Sequence, residues 1–160
     1  MSETWVLNAS PIIALAKAGH LQLLERLTPT LLVPAAVAEE ILAGPESDPA
    51  HQRIGAGWGM RVTPSGIPSV LLEWGLGAGE TAVVAVALER PGSTAVLDDA
   101  SARACARSLG VRVIGTLAVV LRAKRRGLIA AAQPVIDALR AAGFYLDEQI
   151  VRSALAAAGE

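Results

Sequence analysis

Four carboxylates in this 160-residue chain could do chemistry together: Glu40 in VPAAVAEEIL, Glu80 in GLGAGETAVVAV, and Asp98 and Asp99 in AVLDDASAR. With Asn8 and Ser10 of VLNASP they make an all-oxygen donor set. Hard oxygen ligands suit Mg2+ or Mn2+, and crowded carboxylates repel unless a cation lies among them. Acting on a phosphodiester, such a site would perform metal-assisted hydrolysis: the ion binds a phosphate oxygen, activates a water and stabilises the departing oxygen. Each residue alone has a plainer explanation. Glu80 opens a helix, where the dipole by itself favours an acid. Glu40 lies near the apolar face set by Val37 and Ile41, with Glu39 further round, so it is either a ligand or a side chain reaching past that face to water.

Convergence of these residues requires a particular arrangement of elements. The runs TWVL (4–7), LLV (31–33), MRV (60–62), TAVL (94–97) and VRVI (111–114) read as strands separated by helical patterns. That alternation predicts an α/β fold with a parallel central sheet of about five strands covered on both faces. Ser10-Pro11 reads as an N-cap with Pro at the first helical position, and the helix runs to Gly19. A short helix covers about 20–27, and Pro34 opens another that Gly44-Pro45 stops. The segment 46–59 reads as a loop or irregular helix. Gly75 to Gly79 lacks the GxGxxG spacing and a preceding strand, so it reads as a hinge before the Glu80 helix rather than a nucleotide loop. Further helical patterns span 99–109, 117–126, 133–142 and 147–158. Ligands of open parallel sheets bind beyond the carboxyl ends of the strands. The first strand there ends at Asn8 and Ser10, and the fourth at Asp98-Asp99.

Composition narrows the function classes. No internal repeat or long linker divides the chain, so residues 1–160 read as one domain, with helices from about 133 packing on it or on a partner. Cys105 is the only cysteine, which excludes an internal disulfide and a cysteine-rich metal site. His20 and His51 have neither ligand spacing nor a nucleophile partner. Without a long apolar run or a basic leader in MSETWVL, the chain reads as cytoplasmic with no membrane partner. The net charge of −1 conceals an asymmetry: residues 1–100 hold 5 Lys/Arg and 11 Asp/Glu, whereas 101–160 hold 9 and 4. An acidic cluster with a basic margin fits an enzyme acting on a polyanion, and uneven helix surfaces explain it as well. Arg103 and Arg107, four apart, share a helix face near the site, either for RNA phosphate or simply for solvent. Lys124, Arg125 and Arg126 end a helix, where the dipole favours bases and phosphate contact is the alternative. Three Trp, one Tyr and one Phe offer little stacking surface, so single-strand binding by a stacking platform is not supported, and a nucleic acid, if bound, would be held through phosphate and metal.

In this order, VLNASPIIALAKAGHLQLLERL, VPAAVAEEIL, LGAGETAVVAVALE, VLDDASARACARSLGVRVIGTLAVVLRAKRRGLI and PVIDALRAAGFYLDE resemble successive segments of a PIN-like domain. The narrower resemblance is to a branch of predicted nucleic-acid-binding PIN proteins often encoded beside a small partner. It implies a three-layer α/β/α fold, a Mg2+- or Mn2+-dependent ribonuclease mechanism, homodimers, and kinship with the toxins of toxin–antitoxin pairs, hence a small antitoxin-like partner. Carried over, the acidic positions of the pattern fall on Asn8, with Ser10 following, then Glu40, Glu80 and Asp99, with Asp98 beside it. The departure is Asn8, where active PIN nucleases have Asp. An amide still offers a carbonyl oxygen, but its charge is lost and metal affinity should fall. The alternative is therefore a catalytically weak or inactive PIN-fold binding module.

Overall fold

In the computed structural model, which describes residues 3–160, the chain runs β1 (Thr4–Leu7), α1 (Ala9–Lys17), α2 (Gln22–Leu27), β2 (Thr30–Pro34), α3 (Ala35–Leu42), α4 (Pro49–Gly55), β3 (Met60–Val62), α5 (Ser69–Leu72), α6 (Ala78–Glu89), β4 (Thr94–Val96), α7 (Ala100–Ser108), β5 (Arg112–Ile114), α8 (Thr116–Arg125), α9 (Gln133–Ala141) and α10 (Glu148–Ala157). The sheet order is β3-β2-β1-β4-β5 and every pairing is parallel. β1 is central: Val6 lies opposite Leu32 on one side and Ala95 on the other. Trp5, Val6 and Leu7 are all buried, as a parallel strand with both faces covered must be. Chain order moves from β1 outward through β2 to β3, then returns to β4 and outward to β5. The direction reverses between β1 and β4, which makes that gap the crevice of the sheet.

Helices cover both faces in a three-layer α/β/α arrangement. α6 lies against β1, β2 and β4 and beside α7. α1, α4, α9, α8 and α2 contact one another in a second layer, and α3 touches both α6 and the α1–α4 pair. α9 packs on α1 and α8, while Val151 of α10 is buried. Among the described residues, no helix is long and apolar enough to cross a membrane.

Two local expectations change. α1 begins at Ala9, so Asn8, extended at φ −83° and ψ 169°, occupies the N-cap position, and Pro11 is the third helical residue. Ser10 does not cap because its hydroxyl is turned to Asp98. The segment 46–59 contains a regular helix, α4, because Asp48 accepts a hydrogen bond from the Ala50 N–H at 2.9 Å and Pro49 supplies a first helical residue that needs no partner for an N–H. The four-residue α5, behind Pro68, has too little length for a helical period to show in sequence.

Because Leu7 is fully buried in the central strand, Leu7→Ala should lower unfolding free energy in urea by about 3 kcal/mol. Leu72→Ala, at a side chain 59% exposed, should change it by less than about 0.5 kcal/mol.

Candidate active site

The crevice is built first from Asp98, just beyond β4. Its Oδ1 accepts the Thr116 N–H at 2.8 Å, and its Oδ2 accepts the hydroxyls of Thr116 at 2.7 Å and Ser10 at 3.1 Å. Ser10 belongs to the first turn of α1 and Thr116 opens α8, so one carboxylate joins two helix N-termini to the end of β4, where the helix dipoles favour its charge. Three of its roughly four acceptor positions are taken by protein donors. Gly115 is required at this junction, since a Cβ there would lie 2.5 Å from an Arg103 guanidinium nitrogen and 3.0 Å from Asp98 Oδ1. Neither Thr116 nor Gly115 was singled out from sequence; Gly115-Thr116 directly before an apolar helical run was the available signal.

Asp99 caps α7, its Oδ2 accepting the Ala102 N–H at 3.0 Å. This holds the carboxyl at the mouth of the crevice, facing Glu80. Glu80 lies in the first turn of α6, and its pKa is raised above the ordinary value, first by burial, then by the negative charges of Asp99 and Glu40, and by a hydrogen bond shared with Asp99. Three carboxylates from α3, α6 and the β4–α7 junction thus share one electrostatic neighbourhood. Glu40, rather than Glu39, is the residue whose charge reaches Glu80.

Asn8 completes the cluster from β1. Its N–H donates to the Val96 carbonyl at 3.2 Å, extending the β1–β4 ladder. Its side chain is buried, makes no capping bond, and leaves Oδ1 without a hydrogen-bond partner. A buried acceptor left bare is costly and rare in a folded protein. The surroundings explain how it comes so close to the acids. A Cβ on Gly79 would lie 3.4 Å from Asn8 Oδ1 and 3.8 Å from Glu40 Oε2. These are ordinary contact distances, so the start of α6 at Gly79 lies directly against Asn8 and Glu40.

Among the described residues, no three or more His, Cys, Asp or Glu side chains are closed into a metal-holding group. The chemistry of the donors nevertheless suits a hard cation, which would meet the bare Asn8 oxygen and relieve the repulsion among the acids around Glu80.

The predicted basic residues divide. Arg103 donates to the Leu97 carbonyl at 3.2 Å beside Asp98, and Arg107 is exposed one turn further along α7. Burial, followed by the charge of Arg107, pushes the Arg103 pKa down, while Asp98 opposes the shift. Lys124 is tied to the Ala158 carbonyl and to Glu160, both at 2.7 Å, and Arg126 donates to the Leu27 carbonyl at 2.8 Å. Those two fasten the fold away from the crevice, and Arg125 beside them is exposed.

Compared with known proteins, the chain matches a family model described as a PIN domain over residues 4–160. No curated protein matches it.

A carboxyl whose pKa rises on folding stabilises the fold below its unfolded value, and that contribution disappears as pH climbs through the folded value. In metal-free buffer, Glu80→Gln should therefore leave the melting temperature near that of wild type at pH 4. It should become the more stable protein as pH rises above the ordinary carboxylate range. Parallel melting curves of the two proteins from pH 4 to 7 would contradict the crowding at Glu80.

Proposed function

The chain belongs to the PIN-domain family, a family generally of nucleases, and from that premise we propose that it is a divalent-metal-dependent endoribonuclease acting at the β1/β4 crevice. The observation that carries this reading is the unpartnered, buried Asn8 Oδ1 close to Glu40, whose charge in turn reaches Glu80 together with that of Asp99. Glu40, Glu80 and Asp99 would hold Mg2+ or Mn2+, and the ion, when bound, would supply water activation near neutral pH and neutralise charge on the phosphate.

The remaining work falls to the chain's own groups. Asn8 contributes a neutral oxygen where a fourth carboxylate would add repulsion. Asp98 orients Ser10 and Thr116 and fixes the start of α1 beside Asn8. Asp99 is held in place by its capping bond from the Ala102 N–H. Glu80, the most strongly crowded of the acids, keeps its proton to higher pH than an ordinary carboxyl when no cation is present. RNA is the proposed substrate, and the kinship with toxins makes a small antitoxin-like protein and a second copy of the chain the proposed partners.

A second reading, favoured by Asn8 itself, is a PIN-fold binding module that cleaves little or not at all. The two separate in one assay of RNA cleavage with Mn2+. Asp99→Asn keeps a side chain that caps helices well and removes one charge from the cluster. It should lower kcat/KM by at least about 100-fold, because metal stabilisation of the transition state is worth several kcal/mol. Asn8→Asp restores a charge and should tighten Mn2+ binding by about tenfold or more. Cleavage that survives Asp99→Asn unchanged would sink the site. A wild-type protein that binds Mn2+ yet never cleaves would leave the binding-module reading.

A further inference from the structure

The chain's one tyrosine and one phenylalanine are consecutive, in the connection between α9 and α10, and they come to lie beside the acidic crevice. Tyr145 is 83% exposed. With Phe144 it lines an open groove of about 740 Å3 whose other walls include Asp98, Arg103, Arg107 and Leu117. Phe144 also borders a second groove, of about 320 Å3, that reaches Ser10. The hydrogen bond between Ser10 and Asp98 joins the far ends of the two.

The two walls of the larger groove differ in chemistry. α7 presents Arg103 and Arg107 one turn apart, close enough for the charge of one to disfavour that of the other. Among the described residues, neither forms a salt bridge. Asp98 lies near Arg103 and supports its charge, whereas Arg107 adds a second like charge that an anion spanning both would answer. The same groove is lined by Phe144, Tyr145 and Ile150, with Ile150 60% exposed, which gives it an apolar part. A nucleotide has these two properties in one unit, a phosphate for the guanidiniums and a planar base for the ring. Tyrosine also presents its ring at low entropic cost, having only two side-chain torsions.

Resting on the nuclease reading above, we infer that this groove is the nucleotide subsite of that site: a single-stranded RNA leaves the scissile position along α7, with phosphate on Arg103 and Arg107 and a base stacked on Tyr145. Sequence composition argues against a stacking platform because aromatics are few. The fold changes that conclusion by bringing the two that matter to one wall.

The test uses the full chain in EDTA, so that binding is read without cleavage, with a fluorescently labelled single-stranded RNA of about eight nucleotides, a length chosen to cover one single-strand site. Tyr145→Ala should weaken binding by roughly 5- to 150-fold, the worth of one base–aromatic stack, while Tyr145→Phe keeps affinity within about twofold because the ring remains. Arg107→Ala should weaken binding and lower the slope of log K against log salt by about one. A strand made abasic throughout should bind weakly and respond to Arg107→Ala but not to Tyr145→Ala. Melting curves will show that the exposed Tyr145 and Arg107 substitutions leave the fold intact. RNA affinity that is the same in wild type and Tyr145→Ala overturns the subsite and leaves the groove to an apolar protein partner. With Mn2+ present, Tyr145→Ala should raise KM more than it changes kcat. Wild-type cleavage with KM indifferent to Tyr145 overturns the subsite while the nuclease stands, whereas wild-type protein that neither binds nor cleaves RNA removes both.

Discussion

Three hydrogen bonds to the Asp98 carboxylate hold the starts of α1 and α8 at the end of β4, and the positions of Asn8, Asp99 and Arg103 follow from that bracket. Asn8 is fixed because α1 begins immediately after it and its N–H continues the ladder to Val96. Asp99 is fixed because it follows Asp98 and caps α7. Arg103 then lies one turn along α7, beside Asp98 and the Leu97 carbonyl. Asp98 is thus better suited to positioning than to direct ligation, since most of its acceptor capacity is already filled.

The remaining acids are held close with no such support. Glu40 and Glu80 arrive on separate helices, α3 and α6, which pack against each other. The pKa of Glu80 is pushed up first by burial and then by the charges of Asp99 and Glu40. In that setting an amide at position 8 has a physical consequence opposite to its cost. Neutral Asn8 lowers the affinity for a cation, yet it also removes one like charge from a cluster that must remain folded without one. The bare Oδ1 shows that the amide has not been absorbed into local structure: a residue kept only as a helix cap would bond to the second or third N–H of α1, and Asn8 does not.

Much of this was legible in the sequence, and its limits have identifiable causes. The five strand segments and their order in the chain could be read because each is a short apolar run between turn signals. Sheet order follows from the reversal rule only once β1 is known to be central. Glu40, Glu80, Asp98 and Asp99 stood out as acids at element ends. Their roles did not, because whether a carboxylate accepts three protein donors, as Asp98 does, or one, as Asp99 does, depends on neighbours 18 and 88 positions away. Ser10 was misread as a cap because its preference for helix N-termini is real, but the Asp98 carboxylate competes for the same hydroxyl. Thr116 and Gly115 were missed because a threonine and a glycine before a helix are common, and only the fold reveals what a Cβ at position 115 would strike.

The charge asymmetry between the two parts of the chain has a mixed origin. Several basic residues of the later part fasten the structure: Lys124 holds the chain end at Glu160, Arg126 reaches the Leu27 carbonyl, and Arg122 lies over the Trp5 ring at 5.8 Å with Glu3 3.4 Å away. Arg140 faces Glu148 at 3.3 Å. Exposed pairs of that kind add little stability individually, but they occupy the cations. The basic excess of residues 101–160 is therefore a poor guide to the polyanion surface, since four of its nine cations, Arg122, Lys124, Arg140 and Arg152, already face carboxylates. Arg103 and Arg107 differ because they stand together on one helix face, border the acidic crevice and, among the described residues, form no salt bridge. Their location, not the overall basic balance of residues 101–160, links the chain's electrostatics to its chemistry.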